Sequence, residues 1–406
     1  MNRHVLGKHA RSSCALVALV CTVPTTALAA TVVREPGDPF SLALSEQVIR
    51  DANVYRLPDD LDLTTMVPGA ELSRDDLVRR TSAMIDGSWD LGKQSLALSL
   101  DVDSNKYSDN TMLDNTSGSG RADWNWRLMS DWSGQLGASY ARSLAGFVNS
   151  RFLGRDILEN TDYHGTIRYE LTPHWSVTAT GQYADGSHDT EARRADDFKS
   201  DTSIFRIGYR SRRADDMGLK YRRTATSYAF SDRDYVEHAG SYELHYTFTV
   251  KTAFEGSVGY LRREYPRSAV ANFSGPVWSA TLHWEPRSKT RVELTHFQEL
   301  TAYLDAGSNH FESRGTRLAV AWLPTRKITV SLDASREHHD YTGFDSLEAG
   351  GPERRDRLAI WQAGVSYTPV QMLALNVNYR FERRDTNRPL YGYDDRVLTA
   401  GLTLIF

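Results

Sequence analysis

In residues 398–406 an apolar residue stands at every second position until the last, and the chain ends on Phe406. Threonine and glycine fill the intervening positions 399, 401 and 403. Because successive side chains of a β-strand point to opposite faces, one face of this segment suits lipid and the other suits a crowded or wet interior. The pattern is typical of the closing strand of an outer-membrane β-barrel. Leu402, Leu404 and Phe406 are accordingly predicted to be the signal that the barrel insertion machinery recognises.

The same alternation recurs earlier in the chain, in residues 96–102, 244–250, 328–332 and 373–381. Charged or polar side chains occupy most of the positions between the apolar ones in these segments. A charge on the lipid-facing side near the bilayer midplane costs ~2–4 kcal/mol, so we expect these charges to face the interior. The alternation therefore predicts, strand by strand, which side chains line the interior.

Short turn signals are spread along the chain, near residues 90–92, 131–134, 172–174, 213–215, 251–252, 286–288, 324–325 and 368–369. Longer charged loops alternate with them, such as Ser104–Gly120, Asp185–Asp197 and Gly343–Arg355. The segment between two successive short turns is one repeat and holds two strands. These repeats predict an all-β fold, a transmembrane antiparallel β-barrel of about 18 strands with long extracellular loops and short periplasmic turns. The repeat length also fits a β-propeller, but a blade of ~40–45 residues needs four short strands, and each repeat here holds two longer alternating segments.

The N-terminus has the three parts of a secretory signal: a basic start, an apolar stretch over Cys14–Val23 and the small-residue site Ala27-Leu28-Ala29. We expect residues 1–29 to be removed, residues 30–39 to form a short periplasmic lead and residues 40–406 to form the barrel. Both cysteines lie in the removed segment, so the mature chain has no thiol. A lipoprotein anchored at Cys21 is a weaker alternative, because Val20 is large where processing needs a small residue.

Composition narrows the class of protein without deciding it. The formal net charge of −4 does not suggest a nucleic-acid partner. After the signal, no stretch approaches the ~18–20 consecutive apolar residues of a spanning helix, and mean hydropathy is −0.49. A barrel reconciles secretion with a polar composition because only every second residue of its strands faces lipid.

Two groups of charged side chains are predicted to line the interior. Those on the sixth to ninth strands are basic: Arg168, Arg206, Arg210, Lys220 and Arg222. Those on the tenth to fifteenth strands lean acidic: Glu243, Glu255, Glu293, Asp333 and Glu337. Opposite walls of opposite sign would place a transverse field across a pore and favour hydrated polar solutes. The alternative is local ion pairing between neighbouring strands, which would only hold the wall together.

Two further features concern what the protein binds. The candidate platforms for sugar rings are Trp124, Trp126, Phe297, Tyr391 and Tyr393. Trp124 and Trp126 share one face with Leu128, which favours a place in the lipid-facing aromatic belt for these two. Arginine doublets, such as Arg354-Arg355 and Arg383-Arg384, recur near the long loops. Guanidinium groups bind phosphate and carboxylate bidentately, so these doublets would contact the lipopolysaccharide of the outer leaflet or an acidic polysaccharide.

Three stretches, residues 38–58, 272–294 and 381–406, resemble the EpsL-type outer-membrane proteins of exopolysaccharide biosynthesis operons. That group belongs to a wider set of porin-like β-barrels. The similarity spans nearly the whole mature chain in strand order and spacing and carries no catalytic signature. The resemblance implies a role in the export or assembly of an extracellular polysaccharide.

The resulting hypothesis is a pore of the Gram-negative outer membrane that takes part in exopolysaccharide export. The alternative is a general or substrate-selective porin for small hydrophilic solutes. Outer-membrane lipid and the insertion machinery are the expected partners, and polysaccharide and envelope export components are further candidates. A hydrolase is the least favoured class: His338-His339-Asp340 beside Glu337 is its best constellation, but neighbouring residues of a strand point to opposite faces. We expect no enzymatic activity, no metal and no cofactor.

Overall fold

The computed structural model describes residues 39–406, except for residues 64–65, 67–70, 213–214, 268–271, 306–307, 343–352 and 389. The predicted signal peptide and almost all of the predicted periplasmic lead lie outside the described residues. The strands are β1 (Phe40–Asp51), β2 (Asp76–Leu91), β3 (Gln94–Tyr107), β4 (Asn115–Leu128), β5 (Trp132–Leu144), β6 (Ile157–Glu170), β7 (Trp175–His188), β8 (Phe198–Arg210), β9 (Asp216–Tyr228), β10 (Tyr235–Thr249), β11 (Thr252–Glu264), β12 (Phe273–Arg287), β13 (Thr290–Asp305), β14 (Ser308–Trp322), β15 (Ile328–Thr342), β16 (Arg355–Val370), β17 (Leu373–Thr386) and β18 (Tyr393–Ile405). Short 3-10 helices cover Thr111–Leu113 and Glu191–Asp196.

The strands form one 18-stranded antiparallel sheet that closes on itself. Each strand pairs with the next along the chain, and β1 also pairs with β18. The backbone N–H of Phe406 donates to the carbonyl oxygen of Leu42 at 2.8 Å, so the last residue takes part in the closure. Closure leaves no edge strand, which matters in lipid because an unpaired backbone group there costs several kcal/mol. The predicted barrel and its closing strand are confirmed.

Short turns join the strands at one end of the barrel, at residues 92–93, 129–131, 171–174, 250–251, 288–289, 323–327 and 371–372, and β8 is joined to β9 at the same end, between Arg210 and Asp216. Gly92 has φ +69°, a left-handed conformation that glycine adopts without strain. The last turn was predicted near residues 368–369, but it lies after them. Pro369 belongs to β16, at a register shift between Tyr367 and Val370. Proline is tolerated in strands at such irregularities because it donates no ladder hydrogen bond.

The loops at the other end differ from the prediction in length. The loop expected over 104–120 covers only residues 108–114, because β3 and β4 extend further than the polar composition suggested. The longest loop, residues 52–75 between β1 and β2, was not predicted as a long loop. Most of the loop predicted over 343–355 lies outside the described residues.

Large apolar side chains cover the outer face of the barrel. On β3, for example, Leu96, Leu100 and Val102 are exposed on one face, while Asp101 lies on the other and is half-buried. Exposed aromatic rings near the turn end include those of Trp132, Trp175, Trp284 and Trp322. Such rings, with an apolar body and a polar tip, favour the depth of the lipid headgroups. No helix in the described part of the chain is long and apolar enough to span a bilayer.

Three loops share a small hydrophobic core at the loop end. Its buried side chains come from the β1–β2 loop, the 3-10 helix after β3 and the β5–β6 loop: Val54, Tyr55, Leu57, Leu113, Phe147 and Leu153. The rings of Tyr55 and Phe147 meet edge to face, with centroids 5.0 Å apart. Burial raises the pKa of the Tyr55 hydroxyl to about 12, and this hydroxyl donates a hydrogen bond to Asn110 at 3.0 Å. These loops therefore fill part of the interior at the loop end.

Candidate functional site

The candidate site is the interior of the barrel, and the structure places all ten predicted charges on its inner face. Arg206, for example, alternates along β8 with Phe205 and Ile207, whose side chains are exposed on the outside. The cross-strand register carries the same face from β8 through β10, since Arg206 lies opposite Lys220 and Gly218 lies opposite Glu243. The placement follows from the period-2 alternation of each strand.

Three of the five basic side chains are bound to carboxylates of neighbouring strands. Arg206 forms ion pairs with Asp216 and with Glu243, the latter at 3.1 Å, and Lys220 also binds Glu243. Arg222 binds Glu237 at 2.7 Å. The alternative of local ion pairing therefore describes the junction of β8, β9 and β10, because the positive charges there meet acidic partners within the wall.

Arg168 and Arg210 are the two predicted basic residues whose positive charges are less fully neutralised by carboxylates. Arg168 lies 3.6 Å from Glu170, a residue of its own strand. Arg210 is exposed at the turn end of β8, and no carboxylate of the described residues lies within 4 Å of its guanidinium group. These two arginines leave positive charge on the wall at the turn end of the interior.

Three of the predicted acidic side chains lie with two histidines at the turn end, where Glu255 and Glu293 are exposed and Asp333 is half-buried. His245 lies 3.1 Å from Glu255, and His283 lies 3.7 Å from Glu255 and 3.3 Å from Glu293. Glu293 and Asp333 line a recess of about 300 Å³ together with His283. No arginine or lysine within the described ranges pairs with these three carboxylates, so they leave negative charge on this part of the wall.

Glu337, the fifth predicted acidic residue, has a different environment. It lies toward the loop end, is buried, and binds Arg317 at 3.0 Å and His339 at 3.1 Å. His338, the residue between Glu337 and His339, is exposed on the outer face. The two histidines therefore point to opposite faces. Among the described residues no group of three His, Cys, Asp or Glu side chains is arranged as metal ligands.

A third set of interior charges was not among the predicted site residues. Asp103, Asp123 and Asp162 face inward on β3, β4 and β6, where Asp123 and Asp162 lie 3.2 Å and 3.4 Å from His164. The alternation in residues 96–102 had already predicted that Asp101 of β3 faces the interior. The same alternation, applied to β4 and β6, would have predicted that these aspartates face the interior as well. Arg121 on the same inward face pairs with Asp123, so the acidic surface continues on this side of the arginines of β6 and β8 only in part.

Buried ion pairs dominate the loop end of the interior. Glu237 accepts hydrogen bonds from Arg222 at 2.7 Å and from Arg263 at 2.6 Å, and its side chain is 4% exposed. On the opposite side, Asp356 binds Arg354 at 2.6 Å and Arg384 at 3.7 Å. A buried ion pair persists only with good geometry and further hydrogen bonds, and these carboxylates have both.

The β5–β6 loop, residues 145–156, crosses the interior at this level. Arg384 of β17 donates to the carbonyl oxygen of Val148 at 2.7 Å and to the side chain of Asn149 at 3.2 Å. Strand β17 is six positions away from β5 around the sheet, so the loop spans the barrel. Arg193, from the β7–β8 loop, binds Ser150. The loop is therefore held on more than one side.

The predicted sugar platforms are covered by guanidinium groups. Arg317 lies 4.2 Å from the centre of the Phe297 ring, and Phe297 is buried. Arg354 and Arg151 lie 3.7 Å and 4.3 Å from the centre of the Tyr391 ring. Tyr393 is buried with Arg384 over its ring and donates to Glu382. These rings form cation–π contacts within the protein, and Phe297 and Tyr393 are closed to a solute.

Comparison with known proteins bears on the class of this barrel. Residues 220–406 match the family described as "Putative beta-barrel porin 2". This stretch begins inside β9 and includes β10–β18. The fold and the family match agree. The protein is a porin-like β-barrel. The chain matches no curated protein.

Solved structures are similar in fold at low identity. OccK2 (OpdF) of Pseudomonas aeruginosa, in complex with glucuronate, has a TM-score of 0.51 and 12% identity over 90% of this chain and 98% of that chain. A mutant of the ferric enterobactin receptor PfeA of Pseudomonas aeruginosa, in complex with enterobactin, has a TM-score of 0.50 and 9% identity over 92% and 82% of the two chains. At such identity the likeness shows the fold alone.

Proposed function

We propose that this porin-like barrel is a channel through which small hydrophilic solutes diffuse across the outer membrane. The observation that carries the proposal is the inward β5–β6 loop, tied by Arg384 to the far wall. A loop across the bore narrows the passage and leaves a polar, charged lining at the turn end. Such a passage suits small hydrated solutes and hinders a thick polymer.

Export of an exopolysaccharide is the second candidate, and it rests on the resemblance to EpsL-type proteins. A pyranose polymer needs open aromatic faces along its path, whereas Phe297 and Tyr393 are buried under arginines. The small-solute channel is therefore preferred. For the termini, we propose removal of residues 1–29 and recognition of Leu402, Leu404 and Phe406 by the insertion machinery. The side chains of these last three residues are exposed on the closing strand.

Reconstitution into liposomes tests the proposal. Swelling rates in glucose, in glucuronate and in neutral polymers of increasing size should show entry of the two sugars and exclusion of the larger polymers. Glucuronate is included because it is bound in the similar OccK2 structure. Liposomes that do not swell in either sugar would contradict the channel. Loss of extracellular polymer in a deletion strain, with sugar permeability unchanged, would favour export instead.

A further inference from the structure

The outer face of the barrel carries a row of basic side chains toward the loop end of β14–β16. Arg314 lies directly opposite His338, and His338 lies directly opposite Arg357. Arg336 is two residues below His338 on the same outward face. Facing residues of an antiparallel pair have Cβ atoms ~4.5–5.5 Å apart, so these side chains form one cluster on the outer face. We call Arg314, Arg336, His338 and Arg357 the basic row.

Acidic neighbours neutralise the basic row only in part: Asp385 faces Arg357 across the β16–β17 pair, without an ion pair within 4 Å. Arg314 binds Glu312. The other carboxylates on this part of the outer face are shared with arginines outside the row: Asp340 lies 3.6 Å from Arg355, Asp385 lies 3.7 Å from Arg383, and Asp394 lies 2.9 Å from Arg383. Within the described chain, Arg336, His338 and Arg357 have no carboxylate within 4 Å. Arg396 on β18 and Arg50 on β1 continue the exposed positive surface without such partners.

The depth of the basic row matches that of lipid headgroups. Trp361 lies four residues from Arg357 on the same outward face of β16 and is 57% exposed, and Leu332 lies four residues from Arg336 on β15 and is also exposed. The row thus begins where the apolar outer surface ends. In an outer-membrane barrel the end with the longer loops faces outward, so the row lies beside the outer leaflet.

We propose that the basic row binds the phosphate groups of lipopolysaccharide in the outer leaflet. Guanidinium groups match phosphate geometry with two parallel hydrogen bonds, and among the described residues Arg336 and Arg357 have no carboxylate within 4 Å to compete for them. The site belongs to this one sector of the barrel. It does not depend on which solute passes through the interior.

The opposite side of the barrel supplies a matched control. Arg142 on β5 also faces outward near the loop end, but it binds Glu159 at 3.2 Å and the carbonyl oxygen of Thr116 at 2.6 Å. Its charge is therefore satisfied by the protein. Arg142→Gln changes the net charge of the outer face without touching the basic row.

Binding of lipid A to the full-length mature protein in nanodiscs tests the proposal. The wild type should bind diphosphorylated lipid A, and the triple variant Arg336→Gln, His338→Gln, Arg357→Gln should bind it at least about tenfold more weakly. Arg142→Gln should bind as the wild type does. Equal affinity of wild type and triple variant would overturn the proposal.

A second measurement uses the wild type alone, so it does not depend on how well the variant folds. Fully dephosphorylated lipid A should bind much more weakly than the diphosphorylated form, and binding of the latter should weaken as salt screens the charges. Equal binding of both lipids would contradict phosphate recognition. Preference for polygalacturonate, a carboxylated polymer, over diphosphorylated lipid A would assign the row to an acidic polysaccharide instead.

Discussion

The two halves of the barrel interior contain the same kinds of charged residue but place them in opposite environments. On β10 and β11, Glu237 in the loop half is 4% exposed and is shared by two arginines, whereas Glu255 in the turn half is 50% exposed and has only histidines beside it. In the loop half the charges are used to bind strands and loops together. In the turn half they remain at the surface of the bore, where a solute can meet them.

The largest expected effect comes from breaking an ion pair in the loop half. Glu237→Ala should lower the free energy of unfolding by ~3–5 kcal/mol, because it leaves the buried guanidinium of Arg263 without its partner. Glu255→Ala in the turn half should cost ~1 kcal/mol or less, since its ion pairs are exposed. Urea unfolding in detergent, followed by the gel shift of the unfolded chain, measures both. Equal losses of stability would contradict the distinction between the halves.

A smaller effect is expected when the inward loop is released. Arg384→Met removes the hydrogen bonds to Val148 and Asn149, so the β5–β6 loop should lose its tie to the far wall. We expect the single-channel conductance to rise by about twofold, because conductance follows the open cross-section of a pore. Arg383→Met is the matched control, since Arg383 is the neighbouring residue and faces outward. An unchanged conductance in both variants would show that the loop does not limit flow.

The same comparison shows how far the sequence predicts this molecule. Alternation has a period of two and needs only local information, so it predicted the barrel, the turn end and the inward direction of charges such as Arg206 and Asp333. It could not show that Arg206 meets Glu243, because that contact depends on which long side chains reach across two strand spacings. It also could not show that Arg384 holds Val148, a contact between residues 236 positions apart.

The failures of prediction have physical causes as well. Proline at residue 369 was interpreted as a turn signal, yet β16 accommodates it at a register irregularity. Phe297 and Tyr393 were interpreted as open platforms. An arginine of the neighbouring strand covers each ring, Arg317 over Phe297 and Arg384 over Tyr393. Burial in the loop half is set by the inward loops, and loop conformation has no periodic signal in a sequence.

The smallest effect concerns ion selectivity in the turn half. Neutralising Arg168 and Arg210 to glutamine should shift the permeability ratio toward cations by about twofold, and neutralising Glu255 and Glu293 to glutamine should shift it toward anions by a similar factor. The reversal potential under a salt gradient reports both shifts. Lys199→Gln is a suitable control because Lys199 lies on β8 but faces outward. In 1 M salt the Debye length falls to ~3 Å, so both shifts should shrink. If neither pair of substitutions alters selectivity in dilute salt, the exposed charges of the turn half play no part in choosing the solute, and the narrow loop half alone determines what passes.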